Sequence, residues 1–179
     1  MRRVCSRLCR VWLIVVGLAA GFVVGCQPGR IQPEKVTIEP APPPTDEEFA
    51  KAAVTVFFTQ LQAGDYSLAS ALYGGSYDVL LDFNPRVAPT DYETLWRNGC
   101  SINGLNCLEP RTVTLVEQPS ADTFVFDVEF STREGELFIM GPCCGVTETE
   151  QPPVSSFPIR AARGEDGRFR VIDLPPYRP

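Results

Sequence analysis

The longest apolar run in the chain comes first: Val11 to Val24 carries no charge, and the residues before it, MRRVCSRLCR, hold Arg2, Arg3, Arg7 and Arg10 with no acid. Beyond this run the pattern turns polar. Gln27 to Thr45 reads QPGRIQPEKVTIEPAPPPT, with prolines at 28, 33, 40, 42, 43 and 44. Proline fixes φ and removes a backbone donor, so the stretch is expected to be extended and semi-rigid, without packed structure of its own. Helical periodicity begins at Thr45. That residue is placed to N-cap a helix, Glu48 three positions on completes a capping box, and Asp46 and Glu47 put negative charge at the positive end of the helix dipole. Phe49, Ala53, Val56, Phe57 and Leu61 recur at helical spacing as an apolar stripe, with Lys51, Thr55, Thr59 and Gln62 facing away and Gly64 set to end the helix. Asp65 then caps a shorter helix, YSLASALY, closed by Gly74-Gly75. Residues 76 to 83, SYDVLLDF, fit either a third helical stretch or a strand. Thr90 or Asp91 is placed to cap a further short helix, DYETLWRNG, ending at Gly99, and Ser101 to Pro110 reads as a loop.

The last third of the chain changes period. Arg111 to Gln118 alternates Val113, Leu115 and Glu117 against Thr112, Thr114 and Val116; Thr123 to Thr132 puts Phe124, Phe126, Val128 and Phe130 on one face and Val125, Asp127, Glu129 and Ser131 on the other. Glu136 to Met140 is a further strand candidate. Ser155 to Arg163 and Arg168 to Leu174 are expected to pair across Gly164-Glu165-Asp166-Gly167, with Pro158 marking an edge or a bulge. Helices first and an antiparallel run of four to five strands after is the α+β pattern, with helices covering one face of a curved sheet.

The leading run is too short for a comfortable permanent span, which takes about 20 apolar residues, and Gly17 and Gly21 interrupt it. A basic start followed by an apolar core is the order of an export signal. It ends Phe22-Val23-Val24-Gly25-Cys26, which resembles the lipobox of bacterial lipoproteins. The resemblance implies that residues 1–25 are a signal peptide, that cleavage falls before Cys26, and that the Cys26 thiol carries a diacylglycerol. Residues 26–44 then form a stalk, and 45–179 one folded domain on the extracytoplasmic side of a cell membrane or outer membrane. Gln27, next to Cys26, is not the aspartate that retains some such proteins on the inner membrane. The plainer alternative is an uncleaved signal anchor with Cys26 as an ordinary thiol.

Loss of residues 1–25 leaves 12 basic against 22 acidic residues, a formal charge of −10. The basic residues are scattered, so the mature surface repels nucleic acid and anionic headgroups. An exported chain with Cys100, Cys107, Cys143 and Cys144 besides Cys26 is expected to use the four as disulfides. Of the three possible pairings, two bridges tying the Cys100–Cys107 loop to the Cys143-Cys144 turn are favoured; a local Cys100–Cys107 bridge with a vicinal Cys143–Cys144 bridge is the alternative. Without histidine, a zinc site would need all four thiolates, and adjacent cysteines lack the spacer of a redox motif. No metal and no cofactor is expected, since no phosphate loop or dinucleotide fingerprint occurs.

The opening TDEEFAKAAVTVFFTQLQAGDYSLASALY, with the strands that follow it, resembles the nuclear-transport-factor-two-like (SnoaL-like, cone-shaped) superfamily. In residues the match covers 66 to 73 and the preceding helix; in order of elements it covers most of 45 to 174. The resemblance implies helices folded over a concave sheet with a pocket at its open end, used by different members for catalysis, ligand binding or dimerisation. Catalytic relatives pair aspartate with histidine or tyrosine there, and this chain has no histidine. Carboxylates and phenols remain, and Tyr66, Tyr73, Tyr77, Asp78 and Asp82 are the candidate pocket residues. Asp78 and Asp82 would share a helical face, and a buried carboxyl among them could serve as a base; the plainer reading is short acids capping turns. Asp127 and Glu129 read as a solvated face, and Trp96, Phe49, Phe57 and Phe58 as core rather than a ligand cage.

Two functions follow. One is a membrane-anchored, non-catalytic module binding a small apolar ligand or an envelope protein; the other is a histidine-free enzyme working through Asp and Tyr on a small apolar substrate. A third, a plain envelope spacer, needs no site at all. A carboxyl buried beside a tyrosine would favour the enzyme, and a hollow lined by apolar side chains would favour the binding module.

Overall fold

The computed structural model describes residues 42–177. The expected signal peptide, Cys26 and the stalk as far as residue 41 lie outside the described residues, as do Arg178 and Pro179. Four helices precede four strands: α1 (Asp46–Ala63), α2 (Tyr66–Ala71), α3 (Asp78–Phe83), α4 (Tyr92–Ser101), β1 (Glu109–Ser120), β2 (Thr123–Ser131), β3 (Ser156–Arg163) and β4 (Phe169–Val171). The strands form one antiparallel sheet in the order β1-β2-β3-β4, so the chain is α+β. No helix among the described residues is long and apolar enough to cross a membrane.

Helix α1 begins where its capping chemistry puts it. Thr45 Oγ1 accepts from the Glu48 backbone at 3.3 Å, the Glu48 carboxylate accepts from the Thr45 backbone at 2.7 Å, and Gly64 ends the helix at φ 79°. Thr45 Oγ1 also donates to the Glu48 carboxylate at 3.1 Å, and the two hydrogen bonds it accepts from Thr45 hold the Glu48 carboxyl below its ordinary pKa. The buried face differs from the expected stripe. Ala50, Ala53, Val54, Phe57, Phe58 and Leu61 are buried, whereas Phe49 and Val56 remain 53% and 43% exposed. The helix carries apolar residues on more than half of its circumference. The sheet covers the arc through Ala50, Val54 and Phe58, because α1 packs against all four strands there, and the rest is left over.

Segment 78–83 resolves as helix. Asp91 caps α4 through its side chain, accepting from the Thr94 backbone at 3.2 Å. Gly99 does not end α4, which runs on to Ser101. It is buried where a Cβ would lie 2.8 Å from Leu105 Cδ1 and 3.0 Å from Leu80 Cδ2, so glycine there permits close packing rather than a stop. On β2, Phe124, Phe126, Val128 and Phe130 are all buried, as the alternation requires, and Asp127 and Glu129 lie half-buried on the opposite face. Glu129 accepts there from Thr112 Oγ1 at 3.0 Å. Residues 136–140 are not a strand. They make isolated bridges, Ser131 with Leu137 and Met140 with Val154, inside the long excursion between β2 and β3. Pro158 sits in β3, which is interior at its C-terminal end and an edge at its start: Arg160 turns its amide and carbonyl toward Asp173 and Ile172, and Pro158, two residues earlier, faces the same way beyond the end of β4.

The cysteines form the two local bridges. Cys100 on α4 joins Cys107 in the following loop with Cα atoms 5.5 Å apart, and Cys143 joins Cys144. The favoured cross-linking of the two segments does not occur: each cysteine has its partner in its own segment.

Candidate binding site

The aromatic core places Tyr73 and Tyr77 together. Trp96, fully buried, meets the rings of Phe57, Tyr73 and Tyr77 at 5.4, 5.0 and 6.0 Å, and its Nε1 donates to Tyr77 Oη at 3.2 Å. Tyr73 Oη donates to the Ser76 carbonyl at 2.9 Å. Burial raises the pKa of both phenols, most strongly that of Tyr73, where Tyr77 and the acids Asp173 and Asp78 add to the effect. The other three candidates do not join them. Tyr66 is half-buried with the Arg97 guanidinium 5.9 Å from its ring centroid, and Asp78 and Asp82 are exposed on α3, whose inward residue is Leu80.

A hollow of about 510 Å³ opens beside Tyr73, lined also by Met140, Phe157, Ile159, Asp173 and Tyr177. Its carboxylate, Asp173, is fully engaged: it accepts from the Arg160 amide at 2.7 Å and from the Arg160 guanidinium at 2.6 Å. Both of its oxygens are occupied by Arg160 donors, so the carboxylate is not free to act on a ligand in the hollow. Asn84 is the buried polar side chain among the described residues, and it is satisfied by Leu80 and Asn98.

The buried phenols fix an alkaline response. Unfolded tyrosine ionises near 10.0, whereas Tyr73 and Tyr77 in the fold ionise higher. Stability contributed by their neutral form is therefore complete below the unfolded value and is lost as pH rises through the folded values. Ultraviolet titration should find these two phenols protonated while the native state lasts, with unfolding midpoints falling above about pH 10. Unshifted titration of all five tyrosines would contradict the packing.

The second hollow lies between the outer side of α1 and the β3–β4 end of the sheet. Phe49, Ala52, Ala53 and Val56 form one wall and Leu72 and Phe169 the other, around about 440 Å³. Its rim is polar. Arg163 at the end of β3 bridges Asp46 at 2.6 Å and Asp122 at 2.9 Å and lies over the Phe169 ring at 4.3 Å, tying the first turn of α1 to the β1–β2 turn. Arg168 completes the rim from the β3–β4 turn. Of these residues the periodicity of α1 pointed only to Phe49, Ala53 and Val56, and it pointed to them as core. Ala52, Leu72, Arg163, Arg168 and Phe169 carried no signal, because the groove is assembled from both ends of the chain. Its surplus of apolar positions on α1 was the available clue.

The Cys143–Cys144 bridge lies outside both hollows, in the loop that Met140 and Val154 close, with Gln151 accepting from the Cys143 amide at 3.2 Å. No family model and no curated protein matches this chain.

Proposed function

We propose that the chain is a membrane-anchored extracytoplasmic lipoprotein whose cone-shaped, nuclear-transport-factor-two-like domain is a non-catalytic binding module. The apolar groove between α1 and Phe169 carries this reading. Phe49 and Val56 hold large apolar side chains in water, which a monomer gains nothing by doing, and a ligand or apolar protein segment that covers them recovers that burial. The order of helices and strands agrees with a cone, and the apolar leader with Cys26 at its border supports the anchor. The enzyme reading needs a carboxylate free to act beside a buried phenol. Near Tyr73, Asp173 is taken up by Arg160, so binding is the better supported function.

The test is photolabelling of the full chain in lipid nanodiscs with a neutral alkyl diazirine, followed by peptide mapping. Label should concentrate on the peptides bearing residues 49–56 and 163–169. Phe49→Asp and Val56→Asp should each lower it by about tenfold or more, the equivalent of losing one buried apolar side chain. Both positions are exposed, so the unfolding transition should not move appreciably. Labelling spread evenly over the domain, or unchanged in both variants, would remove the groove as a site.

A further inference from the structure

Building on the binding reading above, we infer that the groove takes a single-chain carboxylate amphiphile, a fatty-acid-like molecule whose tail lies against Phe49, Val56 and Phe169 and whose head meets the Arg168 guanidinium. Charge at the rim selects the head group. Two arginines line the groove's polar end, and one is spent: Arg163 on Asp46 and Asp122 at 2.6 and 2.9 Å. Arg168 lines the groove, is exposed, and has no carboxylate partner among the described residues. The nearby Asp166 accepts from its backbone amide at 3.2 Å but gives its carboxylate to Arg170.

A free guanidinium at the mouth of an apolar groove selects the sign of the ligand. It repels an alkylammonium, is indifferent to an alcohol, and offers two parallel donors to a carboxylate. The number of charges is also limited. With Asp46 on the same rim, a head carrying one negative charge is matched by Arg168, and a phosphate monoester, closer to two near neutral pH, leaves an excess charge facing an acid.

Calorimetric titration of the full chain in nanodiscs, with empty nanodiscs subtracted, tests this using decanoate, decanol, decyltrimethylammonium and decyl phosphate. Decanoate should bind up to about fivefold more tightly than decanol, the range of a solvent-exposed charge-assisted contact, and the ammonium more weakly than either. Arg168→Gln should bring decanoate to the decanol level without moving decanol, and Arg168→Lys should keep a reduced preference. Phe49→Asp should weaken every arm. Equal binding of decanoate and decanol, a preference that survives Arg168→Gln, or tighter binding of decyl phosphate would overturn the assignment while leaving the binding reading in place. Failure of all the alkyl probes would overturn both. Cross-linking of two copies through residues 49–56 would overturn it in favour of a second copy of the chain as occupant.

Discussion

Trp96→Ala should lower the unfolding free energy by about 3–5 kcal/mol, the range for deleting a large aromatic from a packed core. Trp96 is 0% exposed and lies at the junction of the helical layer, touching Phe57 of α1, Tyr73 after α2 and Tyr77 before α3. Removing the ring leaves a void where Phe57, Tyr73 and Tyr77 converge, and it strips Tyr77 Oη of its Nε1–H donor. Trp96→Phe keeps part of the volume and loses the hydrogen bond, so it should cost about 1–2 kcal/mol. Urea unfolding followed by circular dichroism measures both. The other tryptophan is Trp12, so in a chain that begins at Cys26 Trp96 fluorescence reports the core alone. A Trp96→Ala loss below about 1 kcal/mol would mean that the ring is not a core element.

The two disulfides should differ sharply in what they contribute. Cys100 and Cys107 are seven residues apart and join α4 to the loop that leads into β1, and closing a loop of that length in the unfolded chain is worth about 2.5 kcal/mol in the chain-entropy account. Cys143 and Cys144 are already joined by a peptide bond, so their bridge restricts almost no unfolded-state freedom and organises only its own exposed loop. Replacing both members of each pair with serine avoids stray thiols. The Cys100/Cys107 double variant should lose about 2–3 kcal/mol, and the Cys143/Cys144 variant less than about 1 kcal/mol. The reverse order would contradict the connectivity.

Local chemistry carried much of this fold into the sequence. The Thr45–Glu48 box, Asp65, Asp91, Gly64 and the alternation of Phe124, Phe126, Val128 and Phe130 each depend on neighbours within a few residues, and each stands where expected. What depended on distant partners was not legible. Helix α1 has apolar residues to spare, and only the position of the sheet decides that Ala50, Val54 and Phe58 turn inward and Phe49 outward. Gly99 looked like a helix stop because its reason for being glycine, the approach of Leu80 and Leu105, comes from elsewhere in the chain. Residues 136–140 have a strand's composition but only single bridges for partners. Of the candidate pocket residues, Tyr73 and Tyr77 meet at the core, while Asp78 and Asp82 share a face as their spacing implied, and that face is solvent. The groove was hidden for the same reason: Phe49 and Phe169 are far apart in sequence and adjacent only in the fold.

Intact-mass measurement of the protein from the membrane fraction, with and without reductant, bears most directly on an anchored module folded outside the cytoplasm. The expected species is a chain starting at Cys26, heavier by a diacylglyceryl group, that gains four hydrogens on reduction, two for each bridge. A full-length, unacylated chain with free thiols, recovered from the cytosol, would contradict it.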